Sequence, residues 1–169
     1  MNQNMQWLKD KAPGFAQLPE DDLSQIRDFT LLWSLFEARI LECQGSTRKI
    51  RDTVGAWQEA ETLDAAAFST ELAYFRQRYF RDGCFTQFFN GLKLRRNDNH
   101  DLVESVISGN SNTPQDCVTV ILIIVLRFRN NLFHGIKWQY KLADQHDNFA
   151  HANSILKNIL ERHGALTAE

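Results

Sequence analysis

The most apolar stretch of the chain runs into the segment Arg127-Phe128-Arg129-Asn130-Asn131-Leu132-Phe133-His134-Gly135. Strongly polar side chains at the end of a deeply apolar helix must be hydrogen-bonded or put to use, because an unpaired polar group is costly to bury. Asn130 and His134 stand at i and i+4 and share a helix face, whereas Arg129 is turned about 140° from His134 by the 3.6-residue repeat. Arg129 therefore meets the imidazole only through its long side chain, or from a second subunit. A histidine at a helix C-terminus is favoured as imidazolium by the helix dipole, and Gly135 suits the left-handed turn that would expose the ring. An arginine, an amide and a histidine converging without a metal-ligand cluster fit phosphoryl chemistry on RNA better than hydrolysis of acyl groups. Glu37, flanking the apolar stripe Trp33, Phe36 and Ile40, is hard to place in a pure core and is the fourth candidate. It suits either a catalytic role or a salt bridge that holds Arg129 or Arg127 in position. The same residues also fit a plain helix cap, with His134 and Asn130 bonded to backbone carbonyls and Arg129 paired to an acid such as Glu37.

Other chemistries lack their marks. There is no G-x-S-x-G elbow, no phosphate-binding P-loop and no H-E-x-x-H pair. Cys43, Cys84 and Cys117 are odd in number and far apart, which signals neither a disulfide framework nor a zinc site and agrees with a reducing cytoplasm. No metal or other cofactor is expected. The N-terminus lacks the apolar core of a signal peptide, and the longest apolar run, Val120 to Leu126, is far short of the roughly 20 residues that span a bilayer, so no membrane association is expected.

The net charge of −2 conceals an uneven distribution. Residues 1–75 carry 7 basic and 12 acidic side chains, residues 76–141 carry 10 and 5, and residues 142–169 carry 2 and 4. One cationic surface on an otherwise acidic body suits a phosphate-bearing partner, although solvated helix faces would give the same totals. Arg127, Arg78, Arg95, Arg96 and Lys137 are the leading candidates for RNA contacts, with Arg76, Arg81, Lys93 and Lys141 behind them. Trp138 and Tyr140 would supply faces on which bases stack, or would pack under the last helix.

The elements that must position these residues read as helices throughout, in one domain spanning 1–169 with its core at about 20–163. Pro19 and the acids Glu20, Asp21 and Asp22 mark a helix start, followed by Ile26, Phe29, Trp33, Phe36 and Ile40 at alternating spacings of three and four. Ser46 or Thr47 caps a second helix to about Ala60 that carries Ile50, Val54 and Trp57. Asp64 caps a third, with Leu72, Phe75 and Tyr79. Asp82-Gly83 is a break, and residues 84–94 are undecided between helix and extended chain. LRRNDNH is a basic loop, and a short helix after it stops at Gly109-Asn110. Pro114 then opens the apolar segment that leads into the motif, whose β-branched residues favour a strand but whose length and closing Gly135 favour a buried helix of about five turns. A last helix covers about Asp144 to Arg162.

The stretch Arg129-Asn130-Asn131-Leu132-Phe133-His134 resembles the R-x4-H motif, with Asn directly after the Arg, of the HEPN (higher eukaryotes and prokaryotes nucleotide-binding) family. LLWSLFEARI in the first long helix and the apolar helix leading into RFRNNLFHG are similar to it as well. So is Gln145-His146-Asp147-Asn148-Phe149-Ala150-His151-Ala152-Asn153, which is like the QxxNFxxAN pattern of some bacterial members. The likeness spans roughly residues 20–163. It implies an all-α, HEPN-like helical bundle that pairs as a two-fold homodimer, with the two motif helices facing each other across one composite cleft. It further implies a metal-independent endoribonuclease of a toxin-antitoxin or phage-defence system, with an antitoxin protein as a possible partner, or else a non-catalytic module that binds a nucleotide, an RNA or a protein. In the catalytic case the RNA 2'-hydroxyl attacks the adjacent phosphate to leave a 2',3'-cyclic phosphate. His134 is then general base or acid, Arg129 stabilises charge on the phosphoryl oxygens, and Asn130 orients the substrate or the histidine.

Overall fold

The computed structural model describes residues 3–135, 142 and 144–166. Its elements in chain order are α1 (Gln3–Lys11), α2 (Glu20–Arg39), α3 (Thr47–Glu59), α4 (Ser69–Tyr79), β1 (Phe80–Arg81), β2 (Cys84–Phe85), α5 (Gln87–Asn90), α6 (His100–Ile107), α7 (Pro114–Phe133) and α8 (His146–His163). The architecture is thus all-α but for one two-stranded hairpin, as expected from the sequence. Among the described residues no helix is long and apolar enough to cross a membrane.

The axis of the bundle is α7. Every residue from Cys117 to Phe128 is buried, so the helix is covered on all faces rather than on one stripe, as a helix surrounded by others is. Pro114 sits in its first turn and the Thr113 hydroxyl accepts the Asp116 N–H at 3.1 Å, so both devices that start a helix are present. The β-branched run that also suits a strand is helical here, because the packing around it outweighs local preference.

Around α7, α3 presents Ile50 and Val54, α6 presents Val103, Val106 and Ile107, and α4 presents Phe75 and Tyr79. α2 lies along α8, where the rings of Phe29 and Phe149 meet at 4.9 Å and Phe149 also stands edge-on to Phe128 of α7. The caps expected at Ser46 and Asp64 form: Ser46 Oγ accepts from Lys49 N at 3.2 Å, and Asp64 Oδ1 accepts from Ala67 N at 3.3 Å. Asp64 caps a single 3-10 turn, Ala65–Phe68, that leads into α4.

The undecided segment 84–94 is both extended and helical. Asp82 and Gly83 take positive φ of 52° and 76°, the requirement of a two-residue hairpin turn, and pair Phe80 with Phe85 and Arg81 with Cys84. Residues 87–90 then make one helical turn that carries the buried Phe89.

Candidate functional site

The carboxyl end of α7 splits its polar residues between two environments. Arg127 is 1% exposed. Its Nε donates to the Leu92 carbonyl at 3.2 Å and lies 3.6 Å from Asp98 Oδ2, while Nη2 donates to Asn131 Oδ1 at 3.1 Å. Asn131, also fully buried, donates through Nδ2 to the Leu92 carbonyl at 3.0 Å. Asp98 accepts the Thr47 hydroxyl at 2.9 Å and the Arg95 N–H at 2.6 Å. A buried ion pair is worth keeping only when its remaining valences are met, and these contacts meet most of them. Burial pulls the Arg127 guanidinium below the usual arginine range, and the neighbouring Asp98 carboxylate opposes that pull. Arg127 therefore ties α7 to the loop 92–98 and is closed to any RNA backbone, which corrects its assignment as a nucleic-acid contact.

Arg129, two residues on, points out of that network and reaches α2. Its Nη1 donates to Asn130 Oδ1 at 3.0 Å, its Nη2 stands 3.8 Å from Glu37 Oε2, and its guanidinium carbon lies 5.5 Å from the centre of the Phe133 ring. The side chain is 32% exposed, so its outer edge is open to solvent. Glu37 is placed by its own helix: the Trp33 indole N–H, one turn earlier, donates to Oε2 at 2.8 Å. The structure thus joins three of the four candidates, Arg129, Asn130 and Glu37, and of the two arginines offered to Glu37 it is Arg129 that pairs.

His134 closes α7. Its N–H donates to the Asn130 carbonyl at 2.9 Å, Gly135 follows at φ 73°, and the imidazole is exposed. The left-handed turn expected at Gly135 is present, and it ends the helix where the histidine stands. Phe133 beside it is 60% exposed, unusual for a phenylalanine next to a charged cluster.

The remaining cations divide. Arg95 and Arg96 are exposed on the loop that carries the 3-10 turn Arg96–Asp98. Arg78 is 14% exposed: its Nη2 donates to the backbone carbonyl and to Oδ2 of Asp144, each at 3.1 Å, and its guanidinium lies over the Phe88 ring at 4.4 Å. It is a clamp between α4 and the start of α8 rather than an open phosphate contact. Arg76 likewise spends its donors on Val106, Ser111 and Asn112, and Arg81 bonds the Gln77 carbonyl. Lys137, Trp138, Tyr140 and Lys141 lie outside the described residues.

The QxxNFxxAN segment proves to be packing polarity. Asn148 accepts the Tyr74 hydroxyl at 2.9 Å and donates to Gln145 at 3.1 Å, while Asn153 donates to the Gln25 carbonyl at 3.0 Å. Sequence reasoning does not single out Asp98 and Asn131; the i and i+4 spacing of Arg127 and Asn131 is the signal that could have found the second of them. No group of three or more potential metal-ligating side chains occurs among the described residues. Compared with protein-family models, with curated proteins and with solved structures, the chain matches none.

Proposed function

We propose that this chain is a metal-independent endoribonuclease of the HEPN type, working as a homodimer whose two α7 ends form one cleft, and acting as a toxin or phage-defence effector. The observation that carries the reading is the presence of one partly exposed guanidinium and one exposed imidazole in the last turns of a single buried helix. Arg129 is gripped by Asn130 and oriented by Glu37, and His134 stands at the end of the same helix beside the left-handed Gly135. In this mechanism His134 takes the proton of the 2'-hydroxyl or gives one to the leaving 5'-oxygen, and Arg129 neutralises the charge that grows on the phosphoryl oxygens. DNA is not cleaved, because it has no 2'-hydroxyl to act as nucleophile. The open Phe133 supports pairing of two copies, since it puts an apolar ring at the point where the two motif helices would meet.

One observation favours the second reading, a HEPN module that binds RNA, a nucleotide or an antitoxin-like protein without cleaving. Arg129 already has internal partners in Asn130 and Glu37, as a structural cap would. Incubating RNA with the protein in excess EDTA, with folded His134→Ala and Arg129→Ala variants alongside, separates the two. The ribonuclease reading expects cleavage by the parent protein and losses of at least about 100-fold in each variant; binding with intact RNA throughout supports the module.

A further inference from the structure

We infer that Trp33 governs how far Arg129 is available to an anionic substrate, by holding the Glu37 carboxylate where it aims the guanidinium without capping it; this rests on the ribonuclease reading above. The geometry is specific to one oxygen. Glu37 Oε2 accepts the indole N–H at 2.8 Å and is the same atom that faces Arg129 Nη2 at 3.8 Å. A separation of 3.8 Å is beyond hydrogen-bond reach, whereas an unrestrained arginine and carboxylate close to about 2.7–2.9 Å, usually with two parallel bonds. The pair therefore attracts through space while the Nη2 hydrogens stay uncommitted to it.

The loop between α2 and α3 supplies the second restraint. Cys43 N–H donates to the Glu37 carbonyl at 2.9 Å and folds the chain back over the end of α2. Gly45 is thereby set against the carboxylate, whose Oε1 fills the space that a Cβ at position 45 would need. Gly45 is not among the glycines with positive φ, so its lack of a side chain serves room rather than backbone freedom. With the indole on one side and Gly45 on another, Glu37 is seated between them and its Oε2 looks across to Arg129.

A phosphate approaching Arg129 then meets a guanidinium already aimed by Asn130 through Nη1 and by Glu37 through charge. Were Glu37 released, it would close on the guanidinium and compete with the phosphate for the same hydrogens. Trp33 and Gly45 are positioning residues in this account and touch no substrate.

The test is an unfolding cycle backed by cleavage kinetics. The urea midpoint shift caused by Arg129→Ala is measured in the parent protein, in Trp33→Phe and in Gly45→Ala. Release of the carboxylate onto Arg129 makes that shift roughly twice as large in Trp33→Phe as in the parent, because coupled neighbours depart from additivity. Gly45→Ala, whose methyl pushes the carboxylate off the loop towards the guanidinium, gives the same rise and decides the matter should Trp33→Phe not fold. Equal shifts in all backgrounds overturn the inference. In cleavage assays both variants lose roughly tenfold in kcat/KM, and Glu37→Gln restores part of the loss in Trp33→Phe by removing the competing charge; no restoration also overturns it. Should the parent protein cleave no RNA, the ribonuclease reading falls while the unfolding cycle still decides the role of Trp33.

Discussion

Nε of Arg127 lies 3.6 Å from Oδ2 of Asp98, with both residues shut away from solvent, while Arg129 on the same helix faces outward. Two positions along α7 turn a side chain about 200°, so neighbouring arginines of similar appearance are sent to opposite duties. One locks the motif helix to the loop 92–98, and the other is left at the surface with Glu37.

Removing Asp98 strands a buried guanidinium. Asp98→Ala is expected to destabilise the fold by about 3–5 kcal/mol in urea denaturation, whereas Arg127→Met, which removes the charge itself, costs less. A loss of under about 1 kcal/mol for Asp98→Ala would mean that the pair carries little of the fold.

Stability should respond to pH through histidines of opposite sign. Hydrogen bonds that the His146 ring donates to Asp147 at 3.1 Å and to Asp21 at 2.8 Å raise its pKa. Its contribution is therefore complete below the unfolded value of 6.5 and is lost as pH rises through the higher folded value. His151, stacked on Tyr74 at 4.1 Å, is lowered by burial against the opposing pull of Glu71 and Asp147. Its contribution is complete above 6.5 and is lost as pH falls through the depressed value. Thermal midpoints measured from pH 5 to 8 should show a shallower alkaline-side decline in Asp21→Asn, where Asp147 still raises His146, and a shallower acid-side decline in His151→Gln, where His163, also lowered by burial, keeps part of it. Unchanged profiles would show that these contacts do not persist in solution.

Arg95 and Arg96 are the open cations of the basic loop, and Arg127 and Arg78 are not. Each of Arg95→Ala and Arg96→Ala should reduce the slope of log binding constant against log salt for single-stranded RNA by about 0.7, the value for a single phosphate that is no longer neutralised. Slopes equal to that of the parent protein would place the RNA elsewhere.

Phe133 should matter to assembly more than to folding. Phe133→Asp is expected to leave the thermal midpoint within a few degrees of the parent, because the ring is 60% exposed, yet, on the proposed homodimer, to shift the sedimenting species from dimer to monomer. Persistence of the dimer would remove this face from the interface.

What the sequence disclosed depended on the length of the pattern. α2 was legible because Ile26, Phe29, Trp33, Phe36 and Ile40 repeat over about four turns, and α7 because Pro114 and Gly135 bracket one long apolar run. Residues 84–94 were not, since strands of two residues and a helix of four are too short to show any period. Their structure rests on the turn at Asp82-Gly83 and on Phe85 stacking with Phe89 at 4.4 Å, which are tertiary facts. The contact between Glu37 and Arg129 was one of the alternatives the polarity of α2 left open. That Arg127 would turn inward was hidden, because its partner Asp98 comes from a loop that reads as basic and solvated.

The central claim is tested most directly by the ends of the RNA fragments the parent protein leaves in excess EDTA, with His134→Ala digested in parallel. The account predicts 2',3'-cyclic phosphate termini from the parent protein and no new termini from folded His134→Ala. Fragments ending in a 3'-hydroxyl, or RNA left intact by a folded and dimeric parent protein, would contradict it.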